Sequence, residues 1–131
     1  MKVTFLGTNG WFDTQAGNTV SVLLQSENYD ILFDAGNGIA KADRYITQNR
    51  PAFLFLSHMH IDHIAGLHTL CKFRFQKGLT VFTQQGTREQ LETFVNEPYT
   101  VPFAMLPFKN EVRELSPGTH QLPFTVTCLP L

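Results

Sequence analysis

The sequence predicts an α/β fold, with a mixed β-sheet and flanking helices. Short apolar stretches rich in β-branched and aromatic residues alternate along the chain with stretches whose apolar residues recur every three or four positions. The stretch "PAFLFLS" at 51–57 is almost continuously apolar, as expected for a strand buried on both faces between parallel neighbours. Strands and helices in alternation are typical of a layered α/β domain.

The first fifty residues contain three predicted strands and one predicted helix. The strands are indicated by alternating or β-rich apolar residues, and the helix by apolar residues at helical spacing. The stretch 7–18 is rich in Gly, Asn, Thr and Asp, which predicts a loop. The predicted elements are strands at 2–6, 19–26 and 29–34, the last two forming a hairpin that turns at 27–29, and a helix at 35–49.

The rest of the chain continues the alternation. A helix is predicted from Ile61, because apolar residues recur at spacings of three and four up to Cys71. Thr87 and Gln90 have the spacing of a capping box at the start of another helix. The remaining predicted elements are strands at 51–57, 79–83, 103–106, 111–115 and 124–131, a helix at 87–95 and a turn at 117–118.

Composition narrows the class of protein. The 131 residues, which match one domain, carry a net charge of −1, so there is no electrostatic basis for non-specific binding to nucleic acid or membrane. A nucleic-acid substrate held by a local patch is not excluded. Cys71 and Cys128 form no C-x-x-C pair and are interpreted as buried free thiols. No signal peptide or membrane span is apparent, so we expect a cytoplasmic protein without membrane contact.

The stretch "LSHMHIDHIAG" at 56–66 holds three of the five histidines and an aspartate. It follows a buried strand, and ligands of open α/β sheets bind at the carboxyl ends of strands. His58 and His60, two residues apart, point to one side of an extended chain, and Asp62 and His63 follow. These side chains suit zinc and similar ions, and two ligand pairs can begin the adjacent sites of two-metal hydrolysis. The alternative is an exposed polar turn, with Asp62 capping the next helix.

A resemblance to a known family rests on this stretch and on the residues before it. "HMHIDH" matches H-x-H-x-D-H, the signature of the metallo-β-lactamase superfamily. "TFLGTNG" and "ILFDAGNGI" resemble its ribonuclease Z-like branch. The resemblance is specific over most of residues 1–70 and looser from 71 to 131. It implies that the chain is the first half of the four-layer αββα sandwich of that superfamily.

The resemblance also implies roles for individual residues. His58 and His60 would bind the first of two divalent metal ions, zinc being preferred over manganese or iron. Asp62 and His63 would bind the second ion, and Asp62 would also orient the nucleophile as a catalytic residue. Asp34 would orient the metal-binding loop, the alternative being a turn residue at the end of a strand. No general acid is identified.

The implied reaction is hydrolysis by a hydroxide bound to the two metals, most simply of a phosphodiester. A small phosphodiester is favoured over transfer RNA, because "FDAGNGIA" lacks the acidic residue expected between the glycines and no basic, Gly-rich arm is present. RNA is not excluded as a substrate. The alternatives are a hydrolase of lactones, thioesters or sulfate esters, and a non-catalytic half-domain that forms a homodimer or needs a partner.

Superfamily members have further ligands: a third histidine, a bridging aspartate and a final histidine. In the ribonuclease Z-like branch the third histidine follows a strand that resembles "FTVTCLPL" at 124–131. We therefore expect residues 1–131 to be a partial domain that is truncated before that histidine. By itself, this partial domain should bind metal weakly. His68 is predicted to be a packed core residue and His120 a surface residue, not substitute ligands.

Overall fold

A computed structural model describes residues 1–130, and its main feature is a six-stranded mixed sheet. The strands lie side by side in chain order. β1 pairs antiparallel with β2, and β2 with β3, whereas β3 to β6 are parallel. The mixed sheet predicted from the sequence is confirmed. Its strands are β1 Lys2–Gly7, β2 Ser21–Gln25, β3 Asp30–Phe33, β4 Ala52–Phe55, β5 Leu79–Gln84 and β6 Asn110–Leu115.

A separate antiparallel hairpin follows the sheet. It consists of β7 Gly118–Gln121 and β8 Thr125–Cys128. The predicted strand at 124–131 is therefore shorter in the structure, and its last residue lies outside the described residues. The sequence does not predict β7 as a separate strand. The turn predicted at 117–118 is a bend at Pro117, and Gly118 already begins β7 with a φ of +128°, a conformation that favours glycine.

The helices are short and mostly of the 3₁₀ type. α1 Ile61–Ile64 continues directly into a 3₁₀ helix, and α2 lies between β5 and β6. The helix predicted at 35–49 is shorter than predicted, and it is a 3₁₀ helix. At its end, the Tyr45 N–H donates to the Ala42 carbonyl three residues back, as in 3₁₀ geometry. The helical elements are Asn37–Arg44 (3₁₀), Ile61–Ile64 (α1), Ala65–Lys72 (3₁₀), Arg88–Phe94 (α2) and Phe103–Met105 (3₁₀).

The strand predicted at 103–106 is wrong. This stretch forms the 3₁₀ helix Phe103–Met105, preceded by Pro102. Phe103 and Leu106, three residues apart, are both buried, which is the spacing of a 3₁₀ turn and not the alternation of a strand.

The predicted capping box of α2 does not form. Thr87 is the residue before the helix, but its hydroxyl donates to the Gln84 carbonyl at 2.7 Å and lies 2.6 Å from the Thr83 hydroxyl. The hydroxyl therefore joins the helix start to the end of β5, and does not bind the free N–H groups of the helix.

The two faces of the sheet are both apolar. On one face the helices bury a core that includes Leu32, Leu54 and Val81, which are adjacent on β3, β4 and β5. On the other face lies an aromatic cluster around Phe53 and Phe82, which the β7–β8 hairpin covers in part. A strand with an apolar side chain on each face reads as a continuous apolar run, which explains the sequence of β4.

The predictions that Cys71 is a buried thiol and His68 a packed core residue are wrong, because both side chains are exposed. The 3₁₀ helix Ala65–Lys72 has three residues per turn, so residues three apart lie above one another. The buried row is Ile64, Leu67, Leu70 and Phe73, and His68 and Cys71 fall on a different row. Cys128 is half-buried, and neither cysteine forms a disulfide within the described residues.

His120 lies on β7 and is half-buried rather than fully at the surface, with its Nε2 2.8 Å from the Ser116 carbonyl. Among residues 1–130, no helix has both the length and the apolar character that crossing a bilayer requires.

Candidate metal centre

The histidine cluster lies at the carboxyl ends of two parallel strands. Phe33 and Phe55, the last residues of β3 and β4, are paired in register. Asp34 follows the first strand and Ser57 the second, so the two side chains meet at the same edge of the sheet. The Ser57 N–H donates to Asp34 Oδ1 at 2.8 Å, and the Ser57 hydroxyl donates to Asp34 Oδ2 at 2.9 Å.

The Asp34 carboxylate also orients one of the histidines. His63 Nδ1 forms an ion-pair contact of 2.9 Å with Asp34 Oδ2, and its proton is donated to the Ser57 hydroxyl oxygen at 3.2 Å. The lone pair on His63 Nε2 is then free to bind a cation, which is the usual arrangement behind a metal-bound histidine. Asp34 holds a φ of +58°, an uncommon value for a residue other than glycine.

Ser57 orients a second histidine. Its hydroxyl proton is directed to Asp34, so its oxygen is free to accept the proton of His58 Nδ1 at 3.0 Å. His58 Nε2 then carries the free lone pair. No role for Ser57 is predicted from the sequence, where its position directly after a buried strand is the only signal for one.

The three imidazoles of the cluster lie close together. The ring centroid of His58 is 4.6 Å from that of His60 and 4.0 Å from that of His63. Burial lowers the pKa of His58, and the proximity of the His63 and His60 rings lowers it further. His58 is therefore held in the neutral form that binds metals.

Asp62 has an incompletely satisfied carboxylate. The side chain is buried (6% exposed), and its Oδ2 accepts the backbone N–H of Trp11 at 2.9 Å. This hydrogen bond is the main reason that the pKa of Asp62 is lowered, so the carboxylate is ionised at neutral pH. Its other oxygen, Oδ1, is buried without a hydrogen-bond partner in residues 1–130. The carboxylate lies next to the histidine cluster, with Oδ2 3.6 Å from His63 Nε2, and a buried, unpaired anionic oxygen suits a bound cation.

The loop that carries these side chains is packed tightly against the loop after β3. The Ala35 N–H donates to the His63 carbonyl at 2.7 Å, and the Gly66 N–H donates to the Ala35 carbonyl at 2.8 Å. A Cβ atom on Gly66 would lie 2.2 Å from the Gly36 carbonyl oxygen. Glycine is required at this position because the two backbones are in direct contact.

The structure therefore brings His58, His60, Asp62 and His63 together, with Asp34 behind them. The alternative of an exposed turn with Asp62 as a helix cap is wrong, because Asp62 is buried and makes no capping hydrogen bond to α1. As the side chains stand in residues 1–130, no group of three or more His, Cys, Asp or Glu is arranged to hold a metal ion. The residues fit a metal centre in their chemistry, in the Ser57 contacts that leave Nε2 of His58 and His63 free, and in the unpaired oxygen of Asp62.

Comparison with solved structures defines the class of protein. Human tRNase Z, short form, is 28% identical with a TM-score of 0.69, over 89% of this chain and 45% of the human chain. The metallo-β-lactamase fold protein YhfI from Bacillus subtilis is 24% identical, also with a TM-score of 0.69, over 97% of this chain and 51% of the other. The chain has the metallo-β-lactamase fold.

The family model described as "Beta-lactamase superfamily domain" matches residues 29–131, and the chain belongs to this superfamily. Ribonuclease Z of Haloarcula marismortui is 31% identical over 123 residues, which are 90% of this chain and 38% of the relative. The chain is a ribonuclease Z-like member that spans well under half the length of this curated relative.

Proposed function

We propose that this chain forms the metal-binding part of a metal-dependent phosphodiesterase. The observation that carries the proposal is the buried Asp62 carboxylate, which has one unpaired oxygen and lies 3.6 Å from His63 Nε2. Ser57 contacts the Nδ1 atoms of His58 and His63, which leaves Nε2 of each ring for a metal. The similarity to ribonuclease Z supports phosphodiester hydrolysis as the reaction.

The proposed ligands are divided between two ions. His58 and His60 would hold one ion, and Asp62 and His63 the other. Zinc suits these donors, and manganese or iron are the alternatives. Catalytic zinc commonly has three protein ligands and a water, so two donors per ion leave each site incomplete. We propose that residues outside this chain supply the remaining donors, and that the chain alone binds metal weakly.

The protein residues of the proposed mechanism each have a separate task. Ser57, itself oriented by Asp34, would hold both His58 and His63 in one tautomer, and the Asp34 carboxylate beside His63 would fix the orientation of that ring. The ionised Asp62 would help orient the attacking water. When bound, the two metals would supply the chemistry that makes water nucleophilic near neutral pH and that neutralises charge developing on the phosphoryl oxygens.

The proposed substrate is a phosphodiester, and a small one is favoured over transfer RNA. The net charge of −1 supports this choice, because binding to long nucleic acids relies on many cationic contacts. RNA is the alternative substrate, because the chain is similar to ribonuclease Z. We propose the cytoplasm as the location, since free cysteines are typical of reducing compartments.

Metal content tests the proposed site directly. The chain and a His60→Ala, Asp62→Ala double variant are equilibrated with zinc, and metal per chain is measured by elemental analysis together with the affinity for zinc. We expect weak zinc binding by the chain and none by the double variant. His68→Ala is the control, because it removes an exposed histidine outside the cluster. Equal zinc binding by the double variant and the unaltered chain would contradict the ligand assignment.

The reaction is tested on a protein that contains both this chain and the remaining donors. We expect cleavage of bis(p-nitrophenyl) phosphate with Mn²⁺ or Zn²⁺, loss of activity with chelator, and slower cleavage of a precursor transfer RNA. Faster cleavage of the precursor would show that RNA is the substrate. Activity on lactones, thioesters or sulfate esters alone would show that the reaction is not phosphodiester hydrolysis.

A second candidate function is a non-catalytic half-domain that forms a homodimer. It is favoured by the exposed aromatic side chains on the sheet face opposite the helices, including Phe5 and Phe33. Large exposed apolar patches mark association surfaces. Light scattering on the purified chain tests this candidate: a mass that rises with concentration supports it, and a constant monomer mass contradicts it.

A further inference from the structure

Trp11 is the single tryptophan of the chain, and it lies beside the candidate metal centre. Its ring stacks on that of His60, with centroids 5.5 Å apart and planes inclined by 29°. Its backbone N–H donates to Asp62 Oδ2 at 2.9 Å. Trp11 therefore contacts two of the four candidate ligands, although it lies some fifty residues earlier in the chain.

The indole is held at the surface by an unusual turn. Trp11 has a φ of +61°, and the Phe12 N–H donates to the Gly10 carbonyl across it at 2.7 Å. Three-residue turns with a positive φ at the centre are rare and strained, more so for a bulky residue. Strained residues concentrate at ligand-binding sites, where the surrounding structure maintains them.

The position of the indole is not explained by packing in the core. The side chain is 70% exposed, so it contributes little to burial. One face of the ring contacts His60, and the high exposure leaves much of the rest of the ring in contact with solvent. A large planar apolar surface is thus presented to solvent at the edge of a cluster that suits a cation.

We propose that Trp11 is a specificity-determining residue that stacks against the nucleobase of a nucleotide substrate. The inference rests on the proposed function, because the metal cluster would bind the phosphoryl group to which the nucleoside is attached. Every nucleobase presents a planar π-face, and aromatic side chains stack on such faces with little dependence on sequence. The substrate class is therefore a phosphodiester that has a nucleoside next to the reacting phosphorus.

The fluorescence of Trp11 provides a direct readout, because no other tryptophan contributes. In excess zinc, which offsets the weak metal binding proposed for the chain alone, the chain is titrated with adenosine 5′-monophosphate and, in parallel, with ribose 5-phosphate, which lacks the base. Affinities are measured by calorimetry, and fluorescence is excited at a wavelength that the base does not absorb. We expect the nucleotide to bind more tightly and to quench the indole, and ribose 5-phosphate to bind without quenching.

The variant Trp11→Leu removes the aromatic face and keeps an apolar side chain. We expect it to weaken nucleotide binding by about 5- to 150-fold, the range that base stacking contributes, and to leave ribose 5-phosphate binding unchanged. Its melting temperature should equal that of the unaltered chain, whereas a purely structural tryptophan would lower it. Tyr99→Leu is the matched control, since Tyr99 is equally exposed (74%) but lies after α2.

The outcomes separate this inference from the proposed function. Equal binding of the two ligands, or an unaffected Trp11→Leu variant, would overturn base stacking and leave the phosphoryl site standing. Quenching by the nucleotide without any binding of ribose 5-phosphate would support base stacking and count against the phosphoryl site. Binding of neither ligand would contradict both.

Discussion

Asp34 connects three parts of the candidate site through one carboxylate. Its two oxygens accept the Ser57 backbone N–H and the Ser57 hydroxyl at 2.8 and 2.9 Å, and one of them lies 2.9 Å from His63 Nδ1. Ser57 in turn accepts the Nδ1 proton of His58. The orientation of two imidazoles thus depends on a residue that is not itself a proposed ligand. Residues in this position commonly affect metal affinity almost as strongly as the ligands do.

The variant Asp34→Asn should weaken zinc binding by about 10- to 100-fold. The amide keeps the size of the side chain and tolerates the positive φ, but one acceptor oxygen becomes an NH₂ group and the negative charge is lost. The dissociation constant is measured by competition with a chromogenic chelator. Asp43→Asn is the control, because Asp43 is an exposed carboxylate paired with Lys72. Unchanged zinc affinity would show that Asp34 is only a turn residue.

At the scale of elements, the site depends on the contact between the loop after β3 and the start of the 3₁₀ helix Ala65–Lys72. The two backbones are joined by hydrogen bonds from Ala35 to His63 and from Gly66 to Ala35. Gly66 also lies against the side chain of Ile39, so the helix Asn37–Arg44 packs against the same glycine. The position of the histidine loop is thus fixed by glycine contacts between two elements.

The variant Gly66→Ala should lower the free energy of unfolding by about 1–3 kcal/mol, the usual cost of forcing extra volume into a packed contact. The added Cβ would meet backbone oxygen at 2.2 Å, and backbone cannot move aside as a flexible side chain does. Urea unfolding measures the effect. Gly10→Ala is the control, because no described atom lies within 4 Å of its Cβ position. Equal stability of the two variants would contradict the packing argument.

The elements predicted correctly from the sequence are those in which the spacing of the apolar residues is unambiguous. The strands β1 to β5 and the helix α2 follow from alternation, from apolar runs or from helical spacing, and the H-x-H-x-D-H spacing predicts the cluster. The 3₁₀ helices are not predicted, because spacings of three and four residues do not distinguish a period of 3.0 from 3.6. That ambiguity is why the burial of His68 and Cys71 is predicted wrongly.

The contact between Trp11 and Asp62 could not be predicted from local sequence patterns either. It joins a loop after β1 to the start of α1, and only the three-dimensional fold brings the two together. The signal available in the sequence was a single tryptophan in a loop otherwise rich in small and polar residues. The sheet does not need a large aromatic residue in such a loop in order to form. The contacts of such a residue are therefore known only from the tertiary structure.

At the scale of the whole molecule, the sheet has one face covered by helices and one covered only in part. Strand register aligns apolar side chains across this second face in two rows, and the β7–β8 hairpin packs Phe124 against Phe53 with ring centroids 5.1 Å apart. The first row is Phe5, Val22, Phe33, Phe55 and Phe82, and the second is Val3, Leu24, Ile31 and Phe53.

The rows end at β6, where Arg113 and Glu111 form an ion pair of 2.9 Å next to Phe82 and Thr80. Charged residues on an edge strand discourage pairing with another sheet edge. Association of this chain should therefore occur through the uncovered part of the apolar face and not through the β6 edge. Phe5 (70% exposed) and Phe33 (44% exposed) lie in that uncovered part.

The double variant Phe5→Thr, Phe33→Thr should weaken self-association at least about tenfold, because burial of one such side chain contributes roughly 1.5–3 kcal/mol. Threonine preserves the preference for strand structure, so the sheet itself should remain folded. Light scattering over a range of concentrations should show the variant remaining at the 14.9 kDa monomer mass where the unaltered chain forms larger species. Tyr99→Thr removes an aromatic side chain of similar exposure elsewhere and should associate like the unaltered chain. Equal association of both variants would exclude the apolar sheet face as the contact surface.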